Sequence, residues 1–132
     1  MNKLGNIDIL SSSPEDTQSL ARELAKNLPE KALVFLQGDL GVGKTTFVKG
    51  MAEEWGIKEP VLSPSYNIFL SYQGPKRQLL HIDAYRLKST ADWDNLFVEE
   101  LVKAPYCIVV EWPEKVASAI PDPNYVVELS IE

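Results

Sequence analysis

Polar and apolar residues change their rhythm repeatedly along this chain, and each change predicts an element. Residues 6–10, NIDIL, alternate as a short strand does. Ser13 is suited to cap a helix, with Pro14 at its first position and Asp16 three residues after the cap. Leu20, Leu24 and Leu28 then recur at four-residue spacing, a narrow apolar helical face. Residues 32–36, ALVFL, form an unbroken apolar run of the kind found in a strand buried on both faces. Phe47, Val48, Met51, Ala52 and Trp55 mark the buried stripe of a second helix, which Gly56 is placed to end.

The second half repeats the alternation. VLSPSYN reads as a loop, and YNIFLSY (66–72) and RQLLHID (77–83) form an antiparallel hairpin around QGPK. Residues 89–103 are helix-compatible, with Trp93, Leu96, Phe97, Glu100 and Leu101 roughly on helical spacing. YCIVVE (106–111) is another buried strand, Pro113 opens a short helix towards Ile120, and YVVELSI (125–131) is a last strand. The order β-α-β-α-β-β-α-β-α-β implies an α/β, three-layer fold: a mixed, partly antiparallel sheet flanked by helices. No repeat or linker interrupts it, and 132 residues suit a single domain, 1–132.

Composition narrows the partners. Thirteen basic against 19 acidic side chains give a formal charge of −6, with only three arginines, Arg22, Arg77 and Arg86. Binding a polynucleotide unaided needs a basic footprint, so any contact with RNA is expected to come through a partner. The apolar runs are too short to span a membrane, and the N-terminal residues lack the apolar stretch of an export signal. Cys107 is the one cysteine and lies within YCIVV, as a buried thiol does. A cytoplasmic location is the expectation.

The chemistry concentrates at GDLGVGKTT. Gly38 to Thr45 match G-x-x-x-x-G-K-[ST] at every fixed position, with a strand before and a helix after. In such a phosphate loop, main-chain amides of Asp39, Leu40, Gly41, Val42, Gly43, Lys44, Thr45 and Thr46 turn towards phosphate oxygens, helped by the positive end of the new helix. The Lys44 ammonium is then placed between β- and γ-phosphates, and the Thr45 hydroxyl ligates Mg²⁺. A carboxylate at a neighbouring strand end must complete the metal site; Asp83 and Glu111 are the two candidates, one holding the ion while the other orders its waters. His81, two residues before Asp83, shares its strand face and reads as a core or hydrogen-bonded histidine.

The set GDLGVGKTTF, SPSY, HIDAYRL and EWPE, in this order and spacing over residues 12 to 116, resembles the TsaE (YjeE/YdiB) family. That family supplies the P-loop ATPase component of bacterial tRNA threonylcarbamoyladenosine biosynthesis. The resemblance implies a P-loop NTPase-like fold, ATP and Mg²⁺ as ligands, and partner subunits of the threonylcarbamoyl transferase complex, through which alone tRNA is met. It further implies that Lys44 and Thr45 serve phosphate and Mg²⁺, that Asp83 and Glu111 complete the metal and water site, and that Trp112 lies near the nucleotide. Ser63 and Ser65 would sit on a switch-like loop sensing the γ-phosphate; here the motif is SPSY, where the family more often has threonine and phenylalanine.

Other classes use the same loop. A small-molecule kinase needs an acceptor site and an arginine-bearing lid, for which three arginines leave little material. A regulatory GTPase selects guanine with N-K-x-D, and the Asn2-Lys3 pair is followed by Leu4-Gly5. ATP hydrolysis, slow without partners, is the expected activity.

Overall fold

The computed structural model describes residues 5–11, 13–38, 43–64 and 68–131. Six strands, β1 (Gly5–Ser11), β2 (Lys31–Gly38), β3 (Phe69–Gln73), β4 (Gln78–Asp83), β5 (Tyr106–Glu111) and β6 (Tyr125–Ile131), form one sheet in the order β1-β6-β2-β5-β4-β3. All neighbouring pairs are parallel except β3–β4, the expected hairpin. The apolar runs in β2 and β5 occupy the middle of the sheet, where both faces are covered.

One face carries α1 (Pro14–Ala25) and α2 (Lys44–Glu54), packed over Val34, Leu36, Leu79, Val109, Val127 and Leu129. Phe47, Val48, Met51, Ala52 and Trp55 are all buried there, as the spacing predicts, and Gly56 follows the helix end with φ +75°. The leucine face of α1 needs correction. Leu24 and Leu28 pack on the core, but Leu20 is 41% exposed, and Thr17, Ala21 and Ala25 are the buried positions. The reason is a close approach of the two helices: a Cβ on Gly50 would lie 2.6 Å from the Gln18 carbonyl oxygen and 2.8 Å from the Ala21 Cβ. Only small side chains fit that seam.

The opposite face holds a second core of Leu80, Ile82, Ile108, Val110, Trp93 and Val98. The helical segment expected over 89–103 is broken into α3 (Thr90–Asp94) and α4 (Val98–Leu101) by Phe97, which is left-handed at φ 52° and 58% exposed. Pro113–Lys115 and Ala117–Ala119 form 3₁₀ turns in place of the short helix expected up to Ile120. Layers of helix, sheet and helix result, and no helix among the described residues is long and apolar enough to cross a membrane. At the end of the sheet away from the glycine motif, Arg77 donates to the carbonyls of Leu28, Pro29 and Tyr106, pinning the turn after α1 to β5.

Candidate active site

Three chain segments deliver the site to one end of the sheet. β2 ends at Gly38, where φ is +155° and a Cβ would meet the Leu129 carbonyl oxygen at 2.6 Å. The first glycine of the motif is thus demanded by the close approach of β6. Asp39, Leu40, Gly41 and Val42 lie outside the described residues. The chain returns at Gly43, left-handed at φ 73°, and enters α2 with Lys44 as its first residue.

The two long helices start in opposite ways. At α1, Ser13 Oγ accepts the Asp16 N–H at 3.0 Å, and Glu15 and Asp16 lie in the first turn, where negative charge suits the helix dipole. At α2 no side chain among the described residues caps the start, no acid lies in the first turn, and a lysine occupies the first position. A cation at the positive end of a helix is unfavourable unless an anion joins it. Thr45 and Thr46, half-buried, follow in the same turn.

The anion facing Lys44 in this structure is Glu111. Its Oε1 lies 3.5 Å from Lys44 Nζ, with both side chains more than nine-tenths buried. Glu111 and Asp83 are direct register partners at the ends of the parallel strands β5 and β4, so the two acids emerge side by side. His81, fully buried on the same face, brings Nε2 within 2.5 Å of Glu111 Oε2. Asp83 caps the 3₁₀ turn Ala84–Arg86, accepting the Tyr85 N–H at 3.0 Å.

The two carboxylates differ electrostatically. Burial pushes Asp83 above its usual value, and the neighbouring Glu111 charge adds to this, against the Tyr85 hydrogen bond and the Lys44 charge. Burial alone would raise Glu111 as well, but the hydrogen bond from His81, then the Lys44 ammonium, outweigh it and hold Glu111 below its usual value. Glu111 is therefore the settled anion, while for Asp83 burial outweighs the charges that oppose it. Two hard carboxylates at one point suit a divalent cation that takes its remaining oxygens from phosphate and water, as Mg²⁺ does. Among the described residues no group of three His, Cys, Asp or Glu side chains forms a self-sufficient metal site.

Trp112, left-handed at φ 58° directly after β5, turns its ring towards Lys44, whose Nζ is 4.6 Å from the ring centroid. Tyr85 packs against Trp112 with the ring planes tilted by 54° and the centroids 5.2 Å apart, and Lys115 Nζ sits 5.5 Å from the Tyr85 centroid. Neither residue type nor spacing marks Tyr85 or Lys115; their places within HIDAYRL and just after EWPE are the signals that point to them. Ser63 lies exposed between α2 and β3, and Ser65 falls outside the described residues. Cys107 is buried, with its thiol pushed up to about 12 by desolvation, and is chemically inert.

Comparison with known proteins places this arrangement in context. A family model described as threonylcarbamoyl adenosine biosynthesis protein TsaE matches residues 11–132. A protein of Treponema pallidum named tRNA threonylcarbamoyladenosine biosynthesis protein TsaE is 38% identical over 122 residues, covering 92% of this chain and 88% of its own. The protein of the same name from Aquifex aeolicus is 39% identical over 111 residues, 82% of this chain and 77% of its own. The crystal structure of Bacillus subtilis YdiB superposes with a TM-score of 0.63 at 31% identity, over 84% of this chain and 67% of that one.

Proposed function

From the premise that this chain belongs to the TsaE family of tRNA threonylcarbamoyladenosine biosynthesis proteins, we propose that it is the Mg²⁺-dependent ATP-binding and ATP-hydrolysing subunit supporting the transferase complex of that pathway. The observation that carries this reading is Lys44: a buried ammonium at an uncapped helix start, directly after the glycine motif and against a strand-end carboxylate. Lys44 exchanges its contact with Glu111 for the β- and γ-oxygens of ATP, and the amides from Asp39 to Thr46 enclose the same phosphates. Thr45, Asp83 and Glu111 are the residues that would hold the metal and its waters. Mg²⁺, when bound with ATP, offsets the negative charge of the phosphates.

The reaction is attack of water on the γ-phosphorus, with cleavage of the bond to the β-γ bridging oxygen and release of ADP and phosphate. Glu111 orients the water, Lys44 faces the charge that develops, and Trp112 walls the ammonium from solvent. Arg22 pairs with Glu53 on the helical face and Arg77 is spent on carbonyls at the far end of the sheet. Turnover by the isolated chain is slow, and partner subunits raise it. The partners, not this acidic chain, contact the tRNA.

The test is the ATPase rate with and without the transferase subunits, for the natural chain and Lys44→Ala. Lys44→Ala lowers nucleotide affinity and turnover together. A rate on the order of tens per second for the isolated chain, indifferent to partners, would sink the proposal. So would a phosphorylated product in a screen of nucleosides and sugars, which would make the protein a kinase.

A further inference from the structure

His81 is the only histidine in the chain, and it is fully buried in the middle of β4. A leucine or phenylalanine would fill the same space without a polar atom to satisfy. The imidazole instead leaves Nδ1 buried with no hydrogen-bond partner among the described residues. A buried orphan of this kind is costly and calls for an explanation. The gain lies at the other nitrogen. With Nε2–H donating to Glu111 Oε2, the ring spends its one donor on that carboxylate and leaves a lone pair on Nδ1.

The two oxygens of Glu111 thus have partners of different kinds. Oε2 is tied to a ring locked in the sheet, whereas Oε1 faces Lys44, a side chain that must also serve phosphate. Register explains why the tie is possible. Glu111 pairs with Asp83, and His81 lies two residues back on the same strand face, so the carboxylate reaches diagonally across β4 to meet it.

We infer that His81 is a positioning residue for Glu111. It fixes the carboxylate plane through Oε2, so that when Lys44 leaves for the nucleotide, Oε1 stays aimed into the site instead of rotating away. This rests on the proposed role of Glu111 in ATP hydrolysis, and its test separates the two.

The first measurement needs no activity. In a long-range ¹H–¹⁵N correlation spectrum of the labelled protein the single histidine gives one imidazole pattern. The expected result is the Nε2–H tautomer with a slowly exchanging ring proton, both altered in Glu111→Ala. A ring averaging between tautomers, indifferent to Glu111→Ala, overturns the inference. The second compares variants in the partner-stimulated ATPase. His81→Leu lowers kcat about 10- to 100-fold while KM and ADP affinity stay within about threefold, and His81→Gln, whose amide reaches Oε2, restores most of kcat. If His81→Leu does not fold, His81→Asn, too short to reach Oε2, takes its place with the same expected loss. A folded His81→Leu or His81→Asn with the natural kcat overturns the inference and leaves the ATPase reading standing. A natural chain that never hydrolyses ATP overturns the ATPase reading, and with it the inferred role, even if the spectrum shows the His81–Glu111 contact.

Discussion

Replacing Glu111 by Gln isolates the electrostatic core of the site. The side chain keeps its shape and its carbonyl can still accept from His81, but the Lys44 ammonium loses its counter-charge. Lys44 and Glu111 are 5% and 7% exposed and 3.5 Å apart, so solvent and salt screen the pair little. At an effective dielectric constant of about 20, that separation corresponds to a gross attraction of about 5 kcal/mol. The ammonium recovers part of this by leaning towards Trp112 and water, and orphaning one partner of a buried pair costs about 3–5 kcal/mol in practice. The low end, about 3 kcal/mol, amounts to a fall in Tm of about 10 °C for a domain of this size.

The pH dependence follows from Glu111 being held below its ordinary 4.5. A depressed carboxyl stabilises the fold in full above its unfolded value and loses that contribution as pH falls through its folded value. The gap between natural chain and variant is therefore wide at neutral pH and closes below 4.5. Phosphate supplies the missing anion, so ADP raises the Tm of Glu111→Gln by more than it raises that of the natural chain. Thermal melts across pH, with and without ADP, make the measurement. Equal melting points at neutral pH, or a smaller ADP shift in the variant, would refute the reasoning.

Asp83→Asn behaves in the opposite sense: the folded carboxyl is raised above 3.8, so its ionisation costs stability as pH rises through the raised value. The ligand-free variant therefore melts higher at neutral pH, matches the natural chain below 3.8, and loses the Mg²⁺-dependent part of nucleotide binding, as calorimetry with and without Mg²⁺ would record. Arg77→Ala strands the carbonyls of Leu28, Pro29 and Tyr106, and urea unfolding should register a loss of about 2–4 kcal/mol with ADP affinity unchanged. Phe97→Gly removes an exposed side chain from a left-handed position and stabilises the protein by about 1 kcal/mol in the same assay.

Much of this architecture can be read from local pattern. ALVFL and YCIVVE are apolar without alternation because β2 and β5 are covered on both faces, and Ser13 caps α1 because its hydroxyl competes for a helix N–H. What escapes local reading depends on neighbours distant in the chain. Leu20 has ideal spacing for burial, yet the seam against Gly50 is taken by Ala21 and the Gln18 backbone. The break at Phe97 has no glycine or proline to announce it. At the site, Glu111 meets Lys44 and stands beside Asp83, and Trp112 lies against Lys44. The carboxylate grip of His81 could not be read, because it depends on the β4–β5 register and not on spacing within either strand.

The backbone-to-backbone seam between α1 and α2 has a mechanical consequence. A Gly50 Cβ would already strike the Gln18 carbonyl, so any larger residue at position 50 would wedge α2 away from α1. Because Lys44 is the first residue of α2, such a wedge would displace the ammonium from Glu111 without touching either side chain.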